Sequence, residues 1–436
     1  MMKYEPINPQ LFKINRERFM RKMLPDSIAI FNSNDLMPRN GDTYFPFRQN
    51  SDLFYLSGLD QEETILVLFP DTIKEGFDEV AFIKRTNEYI AQWEGHKYTK
   101  EEARQISGIE KIFWLDEMDP ILNELILLSK RIFVNTNEND KFNSEVESRD
   151  LRFARKLRDR YPVHKYHRSQ PIMKKLGMIK SSYEVEVMQK AINITASAYN
   201  RVLDFVRPGV MEYEVEAEIT AEFIKNRANG HAYEPIIASG KNACVLHYIA
   251  NNQECKDGDL LLMDFGAEYA NYASDLTRTI PVNGQFSPRQ AAVYNSVLKV
   301  MKEATSMLVP GATLDEFNKE VGKIMESELL DLKLIDKTDI KNQDPKWPAY
   351  KKYFMHGTSH HLGLDVHDLS NRYAPFLSGM VFTCEPGIYI PEEKIGVRIE
   401  NDILITDFEP VDLMSHIPRE VEEIETLMNA KVDMEL

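Results

Sequence analysis

Cysteine is scarce in this chain. Only Cys244, Cys255 and Cys384 occur in 436 residues, too few and too scattered for a disulfide framework. Long apolar runs are missing too, since no stretch approaches the roughly 18 residues that a membrane helix needs. The opening segment, MMKYEPINPQLFKINRERF, lacks the apolar core of a secretory signal. Basic side chains are outnumbered, 53 Lys plus Arg against 69 Asp plus Glu, leaving a formal charge of −16. Phosphate backbones and anionic lipid would repel such a chain, so neither nucleic acid nor a membrane is an expected partner. These absences lead to the expectation of a soluble, cytoplasmic protein. What is present is an ordinary globular composition, 43% hydrophobic and 28% charged. Its length allows two or three domains, each with a core of its own.

Early in the chain, runs rich in Ile, Val and Phe at 27–31, 64–69, 79–84 and 131–135 read as strands, and 101–107 and 120–129 have helical character. Strands interleaved with helices predict an α/β domain. Arg168-Ser-Gln-Pro171 interrupts this pattern, and Ser181-Ser-Tyr-Glu184 has the form of a capping box opening a helix. Val185, Met188, Ile192, Tyr199 and Val202 give that helix one apolar face, and Pro208-Gly209 ends it. The expected domains are 1–174 and 175–436.

The second domain carries a weak internal duplication. Arg207-Pro-Gly-Val-Met-Glu-Tyr-Glu214 and Val309-Pro-Gly-Ala-Thr-Leu-Asp-Glu316 each precede a helical stretch. Each half then has a histidine (His247 or His360), a turn, and an apolar strand ending in an acid six residues after a glycine, Asp264 or Glu385. A second acid follows, Asp275 in one half and Glu400 in the other. Two related halves facing each other would bring these groups to one centre.

Four acids in strongly apolar strand-like runs need compensation, because an unpaired buried carboxylate costs several kcal/mol. Arg278 and Arg398 are the chief cations at hand, so divalent ions are expected to supply the missing charge. Any one acid could point outward on an alternating strand; the repeated order argues against that for the set. His356, His360, His361 and His367 place four of ten histidines in twelve positions, broken by the apolar Leu362-Gly-Leu-Asp-Val366, which reads as a buried strand or turn. Imidazole can ligate metal, carry protons or steady an oxyanion. His247 alone would read as a core histidine, and His361 as pocket wall or structural. Carboxylates with one imidazole suit manganese first, with cobalt, iron or zinc also tolerated. Two such ions would lower the pKa of a shared water and polarise a carbonyl, which is metal-assisted hydrolysis.

HGTSHHLGLDVHD, MDFGAEYANYASDLTRTIPVNG, TCEPGIYI and GVRIENDILIT resemble the pita-bread metallopeptidases, which include aminopeptidase P, prolidase and methionine aminopeptidase. FRQNSDLFYLSGLDQEETILVLF and LGMIKSSYEVEVMQKA resemble the aminopeptidase P branch. The resemblance implies an α/β N-terminal domain of the creatinase/prolidase type, followed by a duplicated, pseudo-twofold α+β pita-bread catalytic domain. It implies that Asp264 binds one metal, Asp275 and Glu400 bridge two, and His360 and Glu385 bind the other. It also implies that His247 and His367 steady substrate and intermediate, that His356 supports the site, and that Arg398 and Tyr389 join a proton network around Asp264. Tyr233 would line the substrate pocket beside His361, which stands where an aromatic residue is common. The implied reaction releases the residue before a proline, with an Xaa-Pro dipeptidase as the alternative and a homodimer or homotetramer as the assembly. A metal-free binding protein and an amidinohydrolase on this fold are disfavoured because the five ligand positions are present. Residues 331–353 read as an insertion.

Overall fold

Strand runs that are apolar at every position need cover on both faces, and the first part of the chain is built to provide it. The computed structural model describes residues 3–139, 141–142 and 144–430. The chain divides into two units, Met1–Gly177 and Met178–Leu436, and the boundary expected at 174/175 lies within the helix Gln170–Gly177.

In the first unit, six strands form one mixed sheet in the order Lys111–Trp114, Glu79–Ile83, Ile65–Leu68, Ser27–Asn32, Arg131–Val134, Lys165–Arg168. The last three run parallel and Ile65–Leu68 runs against its neighbours. Ser27–Asn32 and Ile65–Leu68 are buried throughout, and Ile28, Ile30, Val67 and Phe82 pack with Leu125 and Leu157 from helices. Asn32, Asn135 and Ser169 lie at the carboxyl ends of the three parallel strands and are all buried. Asp52 and Asp150, near the starts of helices Ser51–Ser57 and Arg149–Arg160, are buried with them.

The second unit repeats itself. Helices Ser182–Phe205 and Glu212–Lys225 precede an antiparallel sheet of Ile236–Ser239, Leu260–Phe265 and Leu276–Pro281. Helices Pro288–Ser306 and Leu314–Asp331 precede another, of Val381–Cys384, Asn401–Leu404 and Val411–Asp412, with the hairpin Gly387–Ile390/Ile395–Arg398 beside it. The capping box opens the first helix: Ser181 Oγ accepts from Glu184 N–H, and the Glu184 carboxylate accepts from Ser181 N–H at 2.8 Å. Met188, Ile192, Tyr199 and Val202 are buried on that helix while Val185 is half-buried. Residues 331–353, after the helix that ends at Asp331, hold the short helix Lys337–Lys341, an isolated bridge between Asp344 and Trp347 and a 3-10 turn. Among the described residues, no helix is long and apolar enough to cross a membrane.

Candidate metal centre

Leu260–Phe265 and Leu276–Pro281 pair with Asp264 opposite Thr277. Successive side chains alternate between sheet faces, so Asp264, Asp275 and Thr277 share one face and Arg278 takes the other. The two arms close tightly below Asp264, because a Cβ on Gly266 would stand 1.7 Å from the Ser274 carbonyl oxygen. Only glycine fits there.

The other half adds three groups. A single bridge between Thr277 and Glu400 joins the two sheets, with Glu400 N–H donating to Thr277 O at 3.1 Å. Glu385 follows Val381–Cys384, its N–H on Thr358 O at 2.9 Å. His360 is held through Thr383, which receives its N–H on Oγ1 at 3.2 Å and donates N–H to its carbonyl at 2.9 Å. The ring Nδ1–H of His360 donates to His361 O at 3.0 Å, which aims Nε2 at Asp275 Oδ2 and Glu385 Oε1, each 3.5 Å away. One donor atom from each of Asp275, His360 and Glu400 falls within 4.8 Å of the others.

Burial raises the carboxyl of Asp264, that of Glu385 to about 7, and that of Glu400 well above the carboxylate range. Burial also opposes a charge on His360, yet Asp275 and Glu385 outweigh it and lift the ring to about 9. Four carboxylates thus draw on one guanidinium and one imidazole. Such a set of hard oxygens and one nitrogen, short of positive charge, fits a divalent cation. Arg278 does not relieve the deficit. It faces away, buried, and donates to the carbonyls of Thr277, Glu400 and Pro418 and to Asn401 Oδ1 at 2.7–2.9 Å.

Arg398 links the carboxylates to a second line of groups. Its Nη2 donates to Asp264 Oδ2 at 2.5 Å, Nε to Thr277 Oγ1 at 3.1 Å and Nη1 to Tyr389 Oη at 2.9 Å. Tyr389 Oη lies 2.8 Å from His356 Nε2, and His356 Nδ1 lies 2.7 Å from Gly357 O. Burial, reinforced by Arg398, lowers His356 to about 3, so the ring is neutral, with its proton on Nδ1 toward the carbonyl. Burial also pushes Tyr389 up to about 12, so its hydroxyl keeps its proton and donates to Nε2.

The remaining expected residues fall in three settings. Tyr233 does more than line a pocket, because its hydroxyl bonds Asp264 Oδ1 at 2.7 Å and also reaches Asp275 Oδ1. His367 is exposed, with its ring edge-on to that of His360 at 4.5 Å between centroids. His247 is exposed in a turn, not in a core as its sequence default had it. His361 is buried 4.1 Å from the Phe382 ring, and burial lowers it to about 3. The segment that follows it, Leu362 to Val366, is a run of bends and not a strand.

The sequence reading passed over Thr277. Its hydroxyl donates to Glu400 Oε2 at 2.6 Å while accepting from Arg398, so it ties both halves together. The period-two step from Asp275 to Thr277 could have revealed it. Asp402 was also missed: its Oδ2 accepts from Asp275 N–H at 3.2 Å.

The profile of metallopeptidase family M24 matches residues 186–407, and that of the aminopeptidase P N-terminal domain matches 12–133. The chain belongs to metallopeptidase family M24, and is a hydrolase that works with divalent metal. More particularly, it is similar to the Xaa-Pro aminopeptidase of Haemophilus influenzae, 34% identical over 96% of this chain and 97% of that one. The Xaa-Pro aminopeptidase of Escherichia coli K12 is 33% identical over 97% and 98%. Among solved structures, Pseudomonas aeruginosa aminopeptidase PepP superposes with a TM-score of 0.89 at 32% identity, covering 98% of this chain and 99% of that one. Zn-substituted Escherichia coli aminopeptidase P in complex with product gives 0.86 at 32% identity over the same shares.

Proposed function

We propose that the chain is a metal-dependent Xaa-Pro aminopeptidase, releasing the N-terminal residue from peptides whose second residue is proline. The observation that carries this reading is the convergence of Asp264, Asp275, His360, Glu385 and Glu400 on one charge-deficient pocket. Similarity to Xaa-Pro aminopeptidases over nearly the whole chain supports the substrate class.

The five groups, Asp275 and Glu400 among them, would hold two divalent ions, manganese first. Bound there, the metal supplies Lewis acidity and makes a water reactive at neutral pH. The protein's own part is positioning and proton control. Arg398 orients Asp264 and favours its charged form against burial, and Tyr389 passes that orientation to His356. Tyr233 steadies the facing oxygens of Asp264 and Asp275 through one hydroxyl. His367 and His247, the exposed imidazoles, meet the peptide and donate to oxygen as charge develops on it. An Xaa-Pro bond has no N–H to offer a peptidase, so recognition falls to pocket walls and to the free α-amine. Homodimeric or homotetrameric assembly and a cytoplasmic setting belong to the same reading.

The test compares a Gly-Pro-type dipeptide with an Xaa-Pro-Xaa tripeptide, with and without Mn²⁺. The expected result is metal-dependent cleavage of the tripeptide that chelation abolishes. Preference for the dipeptide would mean a prolidase, and no metal-dependent cleavage of either would overturn the reading.

A further inference from the structure

Five residues carry the chain from His361 to His367 without regular structure. Its first end is zipped to Val381–Cys384: Ser359 Oγ donates to Thr383 O at 2.6 Å and Leu362 N–H to Val381 O at 3.1 Å. Beyond Leu362 that support stops. The loop turns back on itself, Gly363 N–H donating to Asp365 O at 3.2 Å and Asp368 N–H reaching His361 O at 3.1 Å, while Gly363 O accepts from Ala273 N–H of a neighbouring strand at 2.8 Å. What anchors the returning end is an ion pair. Lys180 Nζ meets Asp368 Oδ2 at 2.6 Å, with side-chain exposures of 1% and 7%.

Lys180 sits just before the capping box of the long helix, and its N–H donates to Gly379 O at 2.8 Å. The cation therefore projects from a rigid base, while the anion belongs to the loop. Gly363 lies against the pair, and a Cβ there would stand 2.1 Å from Asp368 Oδ2 and 2.8 Å from Lys180 Cε. Surface pairs hold little geometry, whereas a buried pair resists separation because either partner alone would be an uncompensated charge. The residue immediately before Asp368 is His367, the exposed imidazole beside His360.

We propose that Lys180 and Asp368 are positioning residues, which clamp the end of the histidine loop so that His367 stands against His360 at the place where substrate arrives. The pair acts through His367. This inference rests on the aminopeptidase reading for its activity arm only. The effect of losing such a supporting contact is expected in the 10–100-fold range.

The experiment is a cycle of Asp368→Asn and His367→Ala on full-length protein, assayed on an Xaa-Pro-Xaa tripeptide with Mn²⁺. Asp368→Asn alone is expected to lower kcat about tenfold or more with bound metal unchanged. In the His367→Ala background it is expected to cost less than about twofold, because the residue it positions is already gone. Lys180→Arg is expected to retain most activity. Equal losses in both backgrounds would overturn the proposal, and so would unchanged kinetics in Asp368→Asn. Should Asp368→Asn fold poorly, the neutral pair Lys180→Met/Asp368→Asn takes its place in the cycle with the same expectations. The ring resonance of His367 in Zn²⁺-loaded protein gives a reading that needs no turnover. It is expected to shift or broaden in Asp368→Asn while that of His247 stays, and an unmoved His367 signal would overturn the clamp even if the substrate class were different.

Discussion

Each unit buries carboxylates, and the two treat them in opposite ways. In the first, Asp52 and Asp150 are met by amides: Asn135 Nδ2 donates to Asp52 Oδ2 at 2.8 Å and to Asp150 Oδ2 at 3.3 Å, and Asn32 Nδ2 donates to Asp150 Oδ1 at 2.8 Å. Gln170 Nε2 adds a bond to Asp52. In the second, four carboxylates face one another with Arg398, Thr277 and Tyr233 as side-chain donors and an imidazole aimed between two of them. Amides bring donors without charge and let a carboxyl keep a proton, whereas facing oxygens with few donors demand a cation. Burial of acid groups is therefore not by itself the mark of a metal site. The nature of the donors around them is.

The strongest way to break this comparison is to remove a ligand. Asp275→Ala is expected to reduce tripeptide turnover by more than roughly 100-fold, beyond what loss of a supporting contact costs, with bound divalent metal falling in elemental analysis. Turnover and metal content at wild-type levels would erase the distinction between the clusters.

The next effect is one of pH on the first unit. Burial, with Asp52 as a like-charged neighbour, raises Asp150 from an ordinary 3.8 to about 7. The folded chain then binds this proton more tightly than the unfolded chain. Its contribution to stability is full below the ordinary carboxylate value and is lost as pH rises through 7. Asp150→Asn is expected to flatten that fall, a difference on the order of 2–4 kcal/mol across the window, read from urea unfolding at stepped pH. Parallel pH profiles for wild type and variant would count against a proton held on Asp150.

A smaller effect follows from Asn135→Ala, which takes away the amide common to both acids. It is expected to destabilise the chain by about 1–3 kcal/mol without changing the metal content. Denaturation midpoint and elemental analysis together check this, and a loss of metal would show that the two clusters are not independent.

Much of the fold was readable along the chain. The four central strands of the first unit are short runs rich in Ile, Val and Phe, and Ser181 with Glu184 announces its helix through two local hydrogen bonds. The strands Lys111–Trp114 and Lys165–Arg168 escaped notice because they close the sheet at its edges, are short, and carry exposed or polar side chains. For the site, the acids and histidines stood out by type and repetition. Their partners did not. Thr277 looks like any strand threonine, and nothing local marks Arg278 as facing away while Arg398 faces in.

The order of residues alone determined the central strands of the first unit, the helix opened by Ser181 and Glu184, the duplicated run of helix, strand and acid, and an excess of negative charge in apolar runs, because each is carried by residue types and their spacing along the chain. Tertiary structure alone decided which groups share a space. Thr277 and Glu400 lie 123 residues apart, and Lys180 and Asp368 lie 188 apart. Distances of a few ångströms between such positions arise from how sheets and loops close on one another, and no local pattern encodes them.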